Sequence, residues 1–383
     1  MLFRGGGAVL CALDYQGKLI SLYSFTLEAL EKKRDELYFC PTCNERLQVR
    51  VGKKVIPHFA HYPKSNCSQS RGETWEHEKG KLLLFQWLKR QGYSVRMEHY
   101  LKEIQQRPDI YLKINQKRMA IEYQCSTIPI HQVESRTKAY KATGIHPFWV
   151  LGIKHFNPKT STSMPLNSFL RTFLYYFHDH YHLYFFDANT NHMKIASNLH
   201  SLTPSFTTTY LHDRSLKNLR LSDLFSFKKI PFVNSNWRYW EKLMYTHRTQ
   251  YRNHVNAEHR QFRQFLYLRG LHFSLIPSIC FIPLPGQITS DQPLYIWQTK
   301  LWVNHFLDAD VGETVRLNAV YNRSTINGFK PDLVSDYLKI LSELGYVRRI
   351  SNNEWVKLKH VGFYNNSEDA IKNDKILLNI LKK

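Results

Sequence analysis

Long apolar runs are missing from this 383-residue chain. A membrane-spanning helix needs about 20 consecutive apolar residues, and the best stretch, residues 265–285, is interrupted by Arg269, His272, Pro277 and Pro283. It reads as protein core. The opening M-L-F-R-G-G-G-A-V-L-C-A-L-D is too short and too glycine-broken to supply the apolar stretch of a secretory signal. Cysteine is scarce: of six, Cys40, Cys43 and Cys67 cluster while Cys11, Cys125 and Cys280 are scattered. That spacing excludes the paired framework of a small secreted domain, so a reducing cytoplasm is the expected location. Internal repeats are absent, and no Lys/Arg-rich amphipathic segment stands out as a membrane-surface anchor. Acid is also in short supply, with 31 Asp and Glu against 53 Lys and Arg, a net charge of +22. Such a field draws polyanions. With 14% aromatic residues to stack on bases, nucleic acid is the expected partner.

What is present reads as a globular chain, 43% hydrophobic and 22% charged, long enough for about two to three domains. Residues 8–25 read as two short strands around Asp14-Tyr15-Gln16-Gly17, with Thr26 positioned to cap a short helix over 27–34. Next comes C-P-T-C at 40–43, then fourteen residues to H-F-A-H, then five more to Cys67. Two thiols two residues apart can hold one side of a tetrahedral ion, and a later His and Cys can close the other. Cys40, Cys43 and Cys67 are the expected thiolates of a structural Zn²⁺ site, with His61 or His58 as the fourth ligand. His61 is preferred because His58 falls in a strand-like P-H-F, where it can pack instead.

Residues 70–91 carry a helical apolar face of Leu82, Leu83, Phe85, Trp87 and Leu88, with Gly92 placed as a stop. Glu73, His77 and Lys81, spaced by four, would line one side of that helix and could point at a phosphate or a metal. Strand patterns follow at 93–98, 109–114 and 119–126, then a helix over 131–142, a stop at Gly144, and a strand over 146–152. This order, helix, three strands, helix, strand, predicts an α/β domain. Its third and fourth strands are joined by a right-handed helical crossover and should be parallel.

The centre of that domain is R-P-D-I-Y-L-K-I-N-Q-K-R-M-A-I-E-Y-Q-C-S at 107–126. Period-two alternation puts Ile110, Leu112 and Ile114 on one face and Asp109, Tyr111 and Lys113 on the other. In the next strand Glu122, Gln124 and Ser126 face together. Two carboxylates and an amide converging on one side of a sheet suit Mg²⁺, which takes hard oxygen ligands. An ordinary hairpin with a solvated polar face gives the same alternation.

C-P-T-C, P-H-F-A-H, E-H-E-K-G-K, R-P-D and A-I-E-Y-Q-C-S together resemble the bacterial competence protein CoiA family, most densely over residues 1–155. That resemblance implies a restriction-endonuclease-like αβββαβ core carrying an Asp, then an acidic residue and usually a lysine two positions later. Asp109 matches the first position and Glu122 the second, but the third is Gln124. An amide can orient water but cannot act as a base. The implied role is in processing incoming DNA during natural transformation and promoting its recombination, with single-stranded or branched DNA and recombination proteins as partners. The implied chemistry is metal-assisted phosphodiester hydrolysis, with Mg²⁺ or Mn²⁺ on Asp109 and Glu122, water positioned by Gln124, and His77 and Lys81 on phosphate. Glu98 is a reserve ligand, and Glu73, Ser126, Arg136 and Tyr140 are expected DNA contacts. The alternative is a non-catalytic DNA-binding recombination accessory built on a nuclease-like fold.

Beyond 156 the stretch N-P-K-T-S-T-S-M-P-L-N-S (157–168) reads as a linker. A helix is expected at 169–177, a hairpin at 181–196 around residues 187–191, and a long aromatic and basic helix at 237–268. Helices at 301–307 and 331–344, followed by a basic hairpin over 345–358, suggest a winged-helix unit within 300–360. The expected division is a zinc-knuckle-like N-terminal element (1–69), the nuclease-like α/β domain (70–156) and a mostly α-helical C-terminal region (157–383).

Overall fold

The computed structural model describes residues 8–9, 11–22, 25–40, 43–52, 55–63, 75–203, 206–230, 234–250, 255–317 and 325–382. Glu73 and Cys67 lie outside the described residues. The chain is a mixed α/β protein that divides into two compact units. The first holds Met1–Asn157, Leu183–Ile195 and Leu211–Phe227; the second holds Pro158–His182, Ala196–Tyr210 and Lys228–Lys383. Among the described residues no helix is long and apolar enough to cross a membrane.

The first unit begins with an antiparallel sheet. Strands β1 (Ala8–Val9), β2 (Cys11–Leu13), β3 (Leu19–Ser21), β4 (Tyr38–Phe39), β5 (Arg46–Gly52) and β6 (Val55–His61) pair in the order β1-β6-β5-β4-β2-β3. The β2–β3 turn forms as its residues dictate. Asp14 accepts hydrogen bonds from the Gln16 and Lys18 N–H groups, and Gly17 takes the positive φ of +74° that a side chain resists. Thr26 caps helix α1 (Leu27–Lys32), accepting from the Ala29 N–H. Tyr38, Cys40, Leu47 and Phe59 form the core of this element.

Helix α2 (Trp75–Arg90) then buries Leu82, Leu84, Phe85, Trp87 and Leu88. It ends where Gly92, at φ +82°, turns the chain out of the helix and its N–H bonds the Lys89 carbonyl. Strands β7 (Ser94–Met97), β8 (Ile110–Ile114) and β9 (Lys117–Gln124) follow as an antiparallel set. Asn115 adopts the left-handed conformation, φ 53°, that the tight β8–β9 turn needs. Helix α3 (Ile130–Ala142) carries the chain to β10 (Ile145–Gly152), which pairs in parallel with β9 from Ile145↔Arg118 to Leu151↔Gln124. The expected αβββαβ order and crossover are thus both present.

The polar face of the sheet is only partly solvated: Lys113, Ser94 and Arg96 are exposed, but the part nearest α3 is not. Tyr111, Ala120, Tyr140 and Ile145 cluster there in one buried layer, so α3 covers the stretch of the polar face around Tyr111 and Glu122. On the α2 side a Cβ at Gly80 would fall 2.0 Å from the Tyr123 ring, so only glycine allows this approach of α2 to β9. Residues 183–187 of β13 (His180–Asp187) extend the sheet in parallel with β10. They turn through 188–191 into β14 (His192–Thr203), as the sequence suggests.

In the second unit, residues 157–168 are not an open linker. Strand β11 (Ser163–Met164) pairs with β15 (Phe206–Ser215), and Met164 and Leu166 are buried. The helix expected at 169–177 is confined to α4 (Ser168–Thr172), and Tyr175–Phe177 becomes strand β12, antiparallel to β13. Paired aromatic residues win over helix propensity there. The long helix expected at 237–268 is instead two: α5 (Asn234–Thr249) and α6 (Ala257–Tyr267), the latter capped by Asn256. Helices α7 (Leu294–His305), α8 (Leu333–Glu343) and α9 (Ser367–Leu381) surround a core that includes Trp240, Trp297, Trp302 and Tyr337. Strands β16 (Thr314–Arg316), β17 (Val347–Arg349) and β18 (Glu354–Lys357) form a small sheet in the order β16-β18-β17. Inside this unit Arg248 makes a two-pronged pair with Asp374, at 2.9 and 2.8 Å, and bonds the Ser274 and Ile276 carbonyls. Its charge is fully compensated in the interior.

Candidate nuclease-like site and cysteine–histidine cluster

The β8–β9 register pairs Ile110 with Ile121, which sets Asp109, just before β8, beside Glu122. Asp109 Oδ2 accepts a hydrogen bond from the Tyr123 N–H at 2.8 Å and lies 3.4 Å from His77 Nε2. His77 stacks almost parallel on the Tyr123 ring at 5.8 Å. The first turn of α2 and the near end of the hairpin therefore converge.

Glu122 is nearly inaccessible, with 2% of its surface exposed. Its Oε1 receives Arg136 Nη2 at 2.6 Å and the hydroxyl of Tyr140. Arg136 and Tyr140 sit four apart on α3, so both reach the same carboxylate across the α3–β9 layer. Arg136 also bonds the Arg107 carbonyl, and its guanidinium lies over Trp149 at 5.5 Å. Burial holds the Glu122 carboxyl above its ordinary range, and Asp109 adds to that shift, while Arg136 and the Tyr140 hydrogen bond oppose it. Arg136 and Tyr140 are thus partners of Glu122 in this structure. Their i,i+4 spacing, opposite an acid on a parallel neighbour strand, is the signal from which this could have been read.

The other candidates separate into distinct positions. Lys81 is buried, between Glu78 Oε1 at 2.6 Å and Glu98 Oε1 at 2.7 Å. Glu78 was missed in the sequence, although its i,i+3 spacing to Lys81 allows the pair. Gln124 donates its amide to the Ser126 carbonyl at 2.7 Å, so the two share the strand end. Cys125, between them, points to the opposite side, where burial pushes its thiol up to about 12. Asp109 and Glu122 stand at neighbouring hairpin positions, near enough for the Asp109 charge to help raise the Glu122 carboxyl.

A second group lies in the N-terminal sheet. Cys40 follows β4, Cys43 lies in a turn where Asn44 takes φ 57°, and His61 ends β6. One ligand atom from each lies within 4.8 Å of the others, and Cys43 Sγ is 3.4 Å from His61 Nε2. The turn is closed by Cys40 N–H to the Glu45 carbonyl and Asn44 N–H to the Cys40 carbonyl. Burial lowers the His61 pKa, favouring the neutral imidazole that ligates metal. Strand alternation explains why His61 joins this group and His58 does not: His61 shares the inner face with Phe59, three residues from the outward His58.

With this geometry in place, comparison with known proteins is direct. Residues 22–70 match the competence protein CoiA N-terminal domain, 73–229 its nuclease-like domain and 235–371 its C-terminal domain. Competence protein CoiA of Bacillus subtilis (strain 168) is 25% identical over 375 residues, spanning 90% of this chain and 96% of the relative. With all three domains matched in sequence order, the chain belongs to the competence protein CoiA family.

Proposed function

We propose that this protein processes incoming DNA in the cytoplasm during natural transformation and promotes its recombination, with the αβββαβ core acting as a metal-dependent DNA nuclease. The observation that carries the reading is the juxtaposition of Asp109 and Glu122 at neighbouring hairpin positions, with His77 3.4 Å from Asp109, inside the nuclease-like domain. Asp109 and Glu122 would hold Mg²⁺ or Mn²⁺. Such an ion, when bound, stabilises charge on the phosphate and lowers the pKa of a bound water. Arg136 and Tyr140 keep Glu122 in place and compensate its charge. His77 offers a hydrogen-bond donor to a phosphate oxygen. Gln124, tied through its amide nitrogen to the Ser126 carbonyl, presents an oxygen that orients water without taking its proton. Lys81 holds Glu98 and Glu78, a positioning role that fits its burial better than direct phosphate contact. Ser126 at the strand end and Glu73 ahead of α2 remain proposed DNA contacts, with single-stranded or branched DNA as substrate. Cys40, Cys43 and His61, with Cys67, would bind a structural Zn²⁺.

One observation favours a second reading, a DNA-binding accessory that does not cut. Glu122 Oε1 is already engaged by Arg136 and Tyr140, and an amide stands where related nucleases usually carry lysine. A cleavage time course on single-stranded, duplex and forked DNA with Mn²⁺ or Mg²⁺ separates the two. The nuclease reading expects wild-type cleavage that falls at least about a hundredfold in Asp109→Ala and Glu122→Ala. Intact DNA with all three proteins, each still binding it, would leave the accessory reading.

A further inference from the structure

The second unit contains a cavity of about 900 Å³, within the size range of small-molecule sites, that the nuclease-like core does not use. Helices α5 and α6 form much of its wall. Phe206 and Tyr239 stack at 4.3 Å and 13° on one part of the lining, and Phe262 and Tyr295 contribute further rings. Cations stand around the rings: Lys159 and Lys242 are exposed, and Arg263 lies over Phe273 at 4.4 Å. Two acids also line the cavity. Asp291 is paired with Arg171 at 2.8 Å, which leaves Glu258 set against three cations. A polar group completes the lining: His259 Nε2 is 2.5 Å from the Tyr295 hydroxyl, and His259 Nδ1 is 2.7 Å from Asn256 Oδ1.

Aromatic surfaces for stacking, cations for phosphate and a small set of hydrogen-bonding groups are the three elements of a site that captures an unpaired base. A purely apolar ligand would not need the lysines, and a free anion would not need the rings. We propose that this cavity binds a nucleobase of single-stranded nucleic acid, with its backbone on Lys242, Lys159 and Arg263. The site is independent of whether the α/β core cuts. Bases of a closed duplex are stacked on each other and cannot enter, so the site selects unpaired strands.

The test uses the zinc-loaded full chain without added Mg²⁺ or Mn²⁺, which leaves the nuclease-like site out of the reading, and follows anisotropy of a fluorescein-labelled oligo(dT) across a salt series. Tyr239→Ala is expected to weaken binding about tenfold, in the range for loss of one stacked base, and Tyr239→Phe to restore it. Lys242→Ala is expected to weaken binding and reduce the salt slope by about 0.7, the value for one phosphate contact on a single strand. Lys375→Ala, an exposed cation on α9, controls for net charge and should leave the slope within half that change. Because Lys242 is exposed, its substitution decides the matter if Tyr239→Ala fails to fold. Binding by Lys242→Ala equal to wild type in affinity and slope, or a duplex that competes as well as the single strand, overturns the proposal.

Discussion

Replacing Arg136 by methionine isolates the most consequential interaction of the α/β core. The substitution removes the 2.6 Å contact to Glu122 and leaves that carboxylate buried beside the Tyr140 hydroxyl. Removing one member of a buried pair costs about 3–5 kcal/mol when the other stays charged. Glu122 can avoid part of that cost by taking up a proton. In the intact pair burial already outweighs Arg136 and pushes the Glu122 carboxyl up to about 7 from an ordinary 4.5, so at pH 5 it is protonated with or without Arg136. The folded-state pKa in the variant lies above the unfolded value, so its stability is retained at low pH and lost as pH rises. Urea unfolding of the full chain should therefore show a charge-dependent deficit that nearly vanishes at pH 5 and grows to as much as about 2 kcal/mol at pH 8.5. Adding Glu122→Gln, which needs no counter-charge, should recover at least about 1 kcal/mol at pH 8.5. A deficit equal at both pH values, or no recovery in the double variant, would refute the claim that Arg136 serves to compensate Glu122.

Two other outcomes follow from the same reasoning. Purified Cys43→Ala should lose its stoichiometric zinc by elemental analysis and melt at a lower temperature, whereas His58→Ala should keep its metal, because Cys43 and His61 lie together and His58 does not join them. In the second unit, burial pushes the His247 pKa down to about 3 from an ordinary 6.5. The unfolded chain therefore binds that proton first, and stability is complete above about pH 6.5 and falls as pH drops toward 3. Urea midpoints should decline across this window with a component of up to about 1.4 kcal/mol per pH unit that His247→Asn lacks.

The α/β core was legible because each element carries a clean period. Leu82, Phe85, Trp87 and Leu88 lie on the expected helix face, with Leu84 buried in place of Leu83, Ile110 and Leu112 alternate as a strand, and Gly92 and Gly144 mark helix ends. The parallel β9–β10 pairing followed from the length of the crossover. What could not be read was the cover over the polar face. Tyr111 and Glu122 alternate like solvated residues, yet α3 closes over them, and Arg136 and Tyr140 supply the partners that let an acid be buried. The same blindness to tertiary partners explains residues 157–168, where a linker-like composition hides Met164 in a strand against Thr207. Likewise Lys81 looks like a surface cation until Glu98, from another element, is placed 2.7 Å away. In the cysteine cluster the sequence preferred His61 because His58 sits in a strand-like P-H-F; both histidines prove to lie in β6, and alternation along it is what sets His61 beside Cys43.

The central claim is that Asp109 and Glu122 form a divalent-cation site, and Mn²⁺ binding followed by electron paramagnetic resonance tests it most directly. Wild type, with the cysteine cluster already loaded with Zn²⁺, is expected to take up one Mn²⁺ per chain, and Asp109→Ala and Glu122→Ala to bind at least about tenfold more weakly. Equal Mn²⁺ affinity in the three proteins, or no uptake by wild type in the presence of DNA, would contradict the account.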